Sequence, residues 1–131
     1  MKSKEQITVI YPPTVDYYLL FQRPQQLLKA MSKIQNVRSI FMSSEMYRKL
    51  PKPIVEISKD MYVVSGHSDY KSLIKGKVVY WVSYPEHIDY PLTVKKDFTV
   101  FDAIDNPVEE FSFWAQNLKQ AVEQADAISC T

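Results

Sequence analysis

The segment FQRPQQLLKAM, residues 21–31, places polar side chains where an apolar helical pattern begins. Its apolar residues recur at spacings of three and four, which predicts a helix with one buried face. Pro24 suits the first turn of that helix, because its missing N–H has no helical partner there. Free N–H groups and the helix dipole favour an anion at such an N-terminus. We therefore expect Arg23 to hold a phosphate or a carboxylate, with Gln25 and Gln26 offering neutral hydrogen bonds.

Further polar residues follow two of the apolar runs. Tyr84 and His87 come at the end of KVVYWVSY and just beyond it, and Asp102 and Asp105 come at the end of FTVFD and just beyond it. Ionisable side chains at strand ends are candidates for a functional site, but Asp105 could equally help to cap a helix. Arg23 could also pair with either aspartate and hold two loops together. Both interpretations of Arg23 stay open.

Charge and composition narrow the function classes. The chain has 131 residues with 16 basic and 15 acidic side chains, so its net charge is +1 and a nucleic-acid partner is not favoured. Gly66 and Gly76 are the only glycines, so no glycine-rich dinucleotide loop is possible and no such cofactor is expected. His67 and His87 are not at a metal-ligand spacing, and no metal site is expected.

The sequence also bears on location and association. It has no signal-peptide pattern, no apolar run as long as a membrane span, and one cysteine, which cannot form an internal disulfide. We expect a cytoplasmic protein and leave open a peripheral contact with the inner face of a membrane. The loop YYLLF at 17–21 is apolar for a connecting segment. It either packs into the core or leaves a patch through which the chain self-associates weakly.

Short apolar runs alternate with helical patterns along the whole chain. Runs such as VVYW are apolar on both faces, as parallel strands between helices are. This alternation predicts one α/β domain with a doubly wound, mostly parallel sheet, whose ligands bind beyond the carboxyl ends of the strands. The predicted strands span 7–11, 37–42, 54–57, 61–64, 77–84, 98–102 and 127–130, with 54–57 and 61–64 as a hairpin or edge pair. The predicted helices span 23–35, with Ile34 on the buried face, and 44–50, 69–74 and 107–125.

Four segments together resemble a known family. RPQQLLKAM after the first strand, VVYWVSYP, VFDAIDNP, and a long helix leading to ADAISCT are similar to the N-terminal domain of GT-B glycosyltransferases, particularly those of teichuronic acid biosynthesis. The likeness extends from Ile7 to Thr131. It implies a Rossmann-like, three-layer α/β/α domain on the acceptor side of a two-domain enzyme. The donor-binding C-terminal domain would then lie outside these 131 residues.

The resemblance also implies roles and partners. The partners would be a nucleotide sugar, held mainly by the other domain, and a polysaccharide or lipid-linked acceptor; no metal and no cofactor would be needed. Many family members carry a glycine-rich loop after the first strand, where this chain has Tyr-Pro-Pro, and a histidine where Asp105 stands. The competing class is a stand-alone flavodoxin-like binding or regulatory module without catalysis. The implied catalytic residues are Asp105 and Asp102, and the implied substrate-binding residues are Arg23, Gln25, Gln26, Tyr84 and His87.

Overall fold

A seven-stranded sheet forms the centre of the computed structural model, which describes residues 5–18, 22–103 and 115–130. All seven predicted strands are present, with bounds that differ from prediction by two residues at most. The strands are β1 (Ile7–Tyr11), β2 (Val37–Ser43), β3 (Ile54–Ser58), β4 (Met61–Ser65), β5 (Lys77–Val82), β6 (Phe98–Ala103) and β7 (Ala127–Cys130), and the α-helices are α1 (Arg23–Met31) and α2 (Ala115–Gln124).

The sheet is mostly parallel, as predicted. Its spatial order is β3-β4-β2-β1-β5-β6-β7, and only the β3–β4 pair, a hairpin at one edge, is antiparallel. From β1 the chain moves outward to β2 and β4, then returns to β5 on the other side of β1 and moves outward again. The strand order therefore reverses between β1 and β5. An α/β fold with this kind of sheet is confirmed.

The two faces of the sheet are packed by different segments. Ile10 and Tyr80 are register partners, so Tyr11 lies on the opposite face from Tyr80. Leu28 of α1 is fully buried against the Tyr11 side, whereas Ala121 of α2 is fully buried against the Tyr80 side. Both faces thus hold apolar clusters, which explains why the strands read as continuous apolar runs.

The first helix is shorter than predicted. It ends at Met31, where the Ser32 hydroxyl donates to the carbonyl of Lys29 at 2.6 Å. Asn36, just before β2, has a φ of 68°, in the left-handed region. Ile34 is 58% exposed, so the prediction that it lies on the buried face was wrong. The apolar spacing continued past the point where local hydrogen bonds turn the chain out of the helix.

The segment 44–50 is not a helix, contrary to the prediction. The buried carboxylate of Asp16 accepts the backbone N–H groups of residues 46, 47 and 48, each at 2.8 Å, and also the hydroxyl of Ser44. These bonds hold the segment in an irregular conformation. Burial alone would raise the pKa of Asp16, but the hydroxyl and the three amides outweigh it and hold that pKa below its usual range.

Two further segments form 3₁₀ turns, at Lys71–Leu73 and Pro85–Asp89. Of the helix predicted over 107–125, residues 115–124 are helical, and 107–114 lie outside the described residues. No helix in the described ranges is both long enough and apolar enough to cross a membrane.

The apolar loop at 17–21 is described only in part. Tyr17 is buried against Phe41, with the ring centroids 5.2 Å apart, and Tyr18 is 39% exposed. Residues 19–21 lie outside the described part of the chain. The choice between core packing and weak self-association therefore stays a prediction.

Candidate active site at the carboxyl edge of the sheet

Four polar side chains meet at the carboxyl ends of β1 and β5, where the strand order reverses. The phenol oxygen of Tyr11 lies 2.6 Å from Oγ of Ser83, and it is also hydrogen-bonded to the hydroxyl of Thr14. Oγ1 of Thr14 lies 2.9 Å from Nδ1 of His87. We call these four residues the switch-point network. In open α/β sheets, ligands bind in the crevice at such a reversal.

His87 is held in place by its neighbours. The phenol of Tyr80 donates to the backbone carbonyl of His87, and the ring of Tyr84 packs 5.2 Å from the imidazole ring. Burial lowers the pKa of His87 below its ordinary value, against a weaker opposing effect of Glu86. The imidazole is therefore neutral at pH 7. A neutral imidazole can accept a proton from a hydroxyl group.

Tyr11 connects the network to the end of β6. Burial raises the pKa of Tyr11, hydrogen bonds from Ser83 and Thr14 partly offset that rise, and the negative charge of Asp102 adds to it. The phenol thus stays protonated and can donate a hydrogen bond. Tyr11, at the end of β1, and Asp102, near the end of β6, lie at the same carboxyl edge of the sheet, with β5 between them.

Arg23 and Asp102 form a two-point ion pair. Nε and Nη2 of Arg23 donate to the two carboxylate oxygens at 3.0 and 3.2 Å. The Asp102 side chain is 2% exposed, whereas that of Arg23 is 40% exposed. The hydrogen bond that Arg23 donates to Asp102 raises the pKa of Arg23, so the guanidinium stays charged. A buried carboxylate thus fixes an exposed cation at the N-terminus of α1.

This geometry answers the question about Arg23 that the sequence left open. Arg23 does pair with Asp102, and its solvent-facing edge can still contact an anion. Asp102 is nearly inaccessible and both its oxygens bind Arg23, which suits a positioning residue better than a base. Asp105 lies outside the described residues, so its role stays a prediction.

The two glutamines have different surroundings. Gln25 is fully buried; its Oε1 accepts the N–H of Gln22 at 3.2 Å and its Nε2 lies 3.4 Å from the carbonyls of Asp16 and Tyr17. Gln25 therefore fixes the entry to α1 and presents no surface to a ligand. Gln26 is exposed beside Arg23 in the first turn.

A cavity of about 460 Å³ adjoins the switch-point network. It opens at the ends of β2 and β4, and Pro13 and Tyr90 form the side toward the network. The ring of Tyr90 also packs 6.0 Å from His87. The volume of this cavity lies in the range of small-molecule binding sites. The remaining wall is rich in hydroxyl and charged groups, including Ser43, Ser44, Ser65, Lys49 and His67.

Some residues of this region were not identified from the sequence. Tyr11, Thr14, Ser83 and Tyr90 were given no role from the sequence. Their positions just after β1 and β5 were the available signal, because the carboxyl ends of neighbouring parallel strands meet at one edge. His67 lines the cavity rather than the network, and only the register of β4 beside β2 brings it there.

No group of three or more His, Cys, Asp or Glu side chains suited to a metal ion occurs within the described ranges. No protein-family model, curated protein or solved structure matches the chain.

Proposed function

We propose that this chain is the acceptor-side, N-terminal domain of a GT-B glycosyltransferase that extends a cell-envelope polysaccharide of the teichuronic acid type. One observation carries the proposal. A charged Arg23, fixed by Asp102 of β6, and a neutral His87, which follows β5, lie at the same carboxyl edge of a mostly parallel α/β sheet. A cation and a neutral base at one edge suit a hydroxylated, acidic acceptor.

The residues divide the task between them. Arg23 binds a carboxylate or phosphate of the acceptor, and His87 takes the proton of the attacking sugar hydroxyl. Tyr11 and Thr14 hold the imidazole side of the site in place. The hydroxyl-rich cavity beside Pro13 and Tyr90 accommodates a sugar ring. Asp102 positions Arg23.

The proposal includes the Rossmann-like, three-layer arrangement that the resemblance implies. It is supported by Leu28 of α1 and Ala121 of α2, which pack on opposite faces of the sheet. It also assigns the nucleotide sugar to a second domain of a longer protein. That assignment is supported by the loop after β1, where Pro12 and Pro13 stand in place of phosphate-binding glycines.

A binding titration tests the proposal. The ¹⁵N-labelled chain is titrated with a glucuronate-containing disaccharide and, as a matched ligand, with the neutral glucose disaccharide, while amide shifts are followed by NMR. We expect shifts at Thr14, Arg23 and His87, with the acidic sugar bound more tightly. Arg23→Gln should remove the preference for the acidic sugar, and the exposed Arg48→Gln should keep it.

Three outcomes would contradict the proposal. The first is an absence of binding by either disaccharide, and the second is binding that Arg23→Gln leaves unchanged. The third is micromolar binding of a nucleotide sugar to this chain alone. That last result would favour the stand-alone binding module instead, because it would place the nucleotide site within this domain.

A further inference from the structure

A second cavity lies at the opposite edge of the sheet from the switch-point network. It has a volume of about 600 Å³ and opens where β1, β2 and β4 begin. Its walls come from residues 6–7, 32–38, 58–60 and Lys75. We call it the amino-edge cavity. Nothing in the proposed function uses it.

The cavity concentrates positive charge. Lys33, Arg38, Lys59 and Lys75 line it, against the single acid Asp60. Asp60 is already paired, because Nε and Nη2 of Arg38 donate to its Oδ1 at 3.1 and 3.0 Å. The local excess of three positive charges exceeds the net charge of the whole chain, which is +1. The cavity is therefore far more cationic than the average surface of this protein.

The three lysines are exposed, and their ammonium groups make no hydrogen bond or ion pair with any other described residue. They do not serve to neutralise the end of α1 either. The last carbonyls of that helix already have donors: those of Leu28, Lys29, Ala30 and Met31 each accept an N–H or hydroxyl from residues 32–34. Lys59 and Lys75 lie on turns outside the helix altogether.

The backbone around the cavity is held firmly. The Thr8 hydroxyl donates to the carbonyl of Lys75 and accepts its N–H, both at 2.8 Å, and Thr8 is fully buried. Arg38 also donates to the carbonyl of Leu73 at 3.0 Å and lies over the ring of Tyr62. A ligand thus meets a wall that is already formed, which reduces the ordering cost of binding.

We propose that the amino-edge cavity binds a phosphate-bearing ligand through Lys33, Lys59 and Lys75. Ammonium groups are compact cations that suit phosphate, and three lysines line one concave surface. The amide side chains of Gln35 and Asn36 in the same wall add neutral hydrogen-bonding capacity. The phosphate can belong to a soluble compound or to a lipid headgroup. The exposed Ile34 on the rim would contact the apolar part of a lipid.

Two probes separate these sources. Inorganic triphosphate is titrated by calorimetry, and vesicles of phosphatidylcholine with and without phosphatidylglycerol are tested by co-sedimentation, both at about 0.15 M ionic strength, where remote charges are screened. Triphosphate binding identifies a soluble ligand, and binding only to phosphatidylglycerol vesicles identifies a headgroup. If neither probe binds, the proposal is wrong.

Matched variants locate the site. The triple variant Lys33→Gln, Lys59→Gln, Lys75→Gln should weaken binding at least about tenfold. The control triple Lys52→Gln, Lys95→Gln, Lys119→Gln makes the same change in net charge at exposed lysines outside the cavity, and should keep wild-type affinity within about twofold. Equal weakening by both triples would show diffuse attraction and overturn the proposal.

The Arg23→Gln variant keeps this test independent of the proposed function. It should keep the triphosphate binding that the cavity triple removes, since Arg23 lies at the other edge of the sheet and its substitution affects only an anion held there. If Arg23→Gln abolishes triphosphate binding while the cavity triple does not, the anion site is at the carboxyl edge and the amino-edge proposal fails. Amide NMR spectra of each variant verify that it is folded.

Discussion

Arg23 and Asp102 join the N-terminus of α1 to the end of β6 through two parallel hydrogen bonds. The partners are far apart in the sequence and differ in exposure, with the carboxylate buried and the guanidinium partly in solvent. The pair thus has a structural side, toward the sheet, and a side that a ligand can reach. The same ion pair therefore contributes to the stability of this edge of the sheet and to the proposed binding of an anion.

The first prediction concerns this pair. Arg23→Gln should lower the free energy of unfolding by about 1–3 kcal/mol, because it leaves a buried carboxylate without its charged partner. The partial exposure of Arg23 places the effect toward the lower end of that range. Urea denaturation measures it, with the exposed Arg48→Gln as the control.

A double-mutant cycle with Asp102→Asn then isolates the pair. The double variant should be more stable than the sum of the two single effects predicts, by at least about 0.5 kcal/mol. Strict additivity of the two substitutions would show that the ion pair does not couple the two elements.

The second prediction is a pH dependence from His87. Its pKa in the folded state is lowered by burial, so the unfolded state binds the proton more readily. Stability should therefore be unaffected by this group well above the unfolded pKa of about 6.5 and should fall as pH drops below it. His87→Gln should flatten that fall between about pH 7.5 and 5.5, as followed by the urea midpoint.

The exposed His67→Gln is the matched variant for this experiment. It should keep the wild-type pH profile over the same range. If the two histidine variants show the same profile, the burial of the His87 ring does not govern the pH response.

The third prediction concerns the buried carboxylate of Asp16. Asp16→Asn should destabilise the chain by about 1–3 kcal/mol, because an amide oxygen cannot accept all four donors that the carboxylate satisfies. Asp69→Asn, at an exposed aspartate with one long backbone hydrogen bond, is the control and should be nearly neutral. Thermal unfolding at neutral pH distinguishes the two variants. Equal melting temperatures would show that the Asp16 carboxylate does not stabilise the fold through its four donors.

The carboxylate of Asp16 also predicts a loss of stability in acid. The folded-state pKa of Asp16 is lowered, so its contribution is present above the unfolded pKa of about 3.9 and is lost as pH falls through the folded value. The difference in stability between wild type and Asp16→Asn should therefore shrink below about pH 4. A difference that stays constant with pH would exclude the carboxylate as its source.

The fourth prediction uses the two glycines. Gly76 has a φ of +69°, and an added Cβ would lie 1.8 Å from the backbone oxygen of Gln6. Gly76→Ala should therefore cost more than the roughly 1–3 kcal/mol of backbone strain alone. Gly66→Ala is the comparison, since its Cβ would lie 3.2 Å from the Tyr90 hydroxyl, which is the end of a side chain. Urea denaturation measures both variants, and equal losses would show that the close approach to Gln6 does not decide the cost.

The strands could be predicted well because their signal is local and continuous. Runs such as the one containing Val78 and Tyr80 are apolar at successive positions, as strands covered on both faces are. The end of α1 was predicted less well because Ile34 continues the apolar spacing although Ser32 ends the helix. The apolar spacing of a segment does not show the hydrogen bonds that end a helix before the spacing does.

The candidate site was predicted only in outline. The carboxyl edge, Arg23 and His87 could be inferred from positions after strands, and the Arg23–Asp102 pair was one of two alternatives. The burial of Gln25 could not be inferred, because it depends on the carbonyls of Asp16 and Tyr17. The irregular conformation of 44–50 also arises from Asp16, a residue of another loop. Such long-range hydrogen bonds leave no periodicity in the sequence.

The central position of β1 also bears on how the chain folds. β3 and β4 are joined by Lys59 and Asp60 alone, so their hairpin can form within microseconds from neighbouring residues. Ile7 of β1 must find Val37 on one side and Lys77 on the other, which requires the closure of long loops. The switch-point network, whose members lie on both sides of the β1–β5 pairing, therefore requires that pairing before it can form. A partly folded chain with only its hairpin in place would lack the network, so a ligand that binds there would report the completion of the pairing.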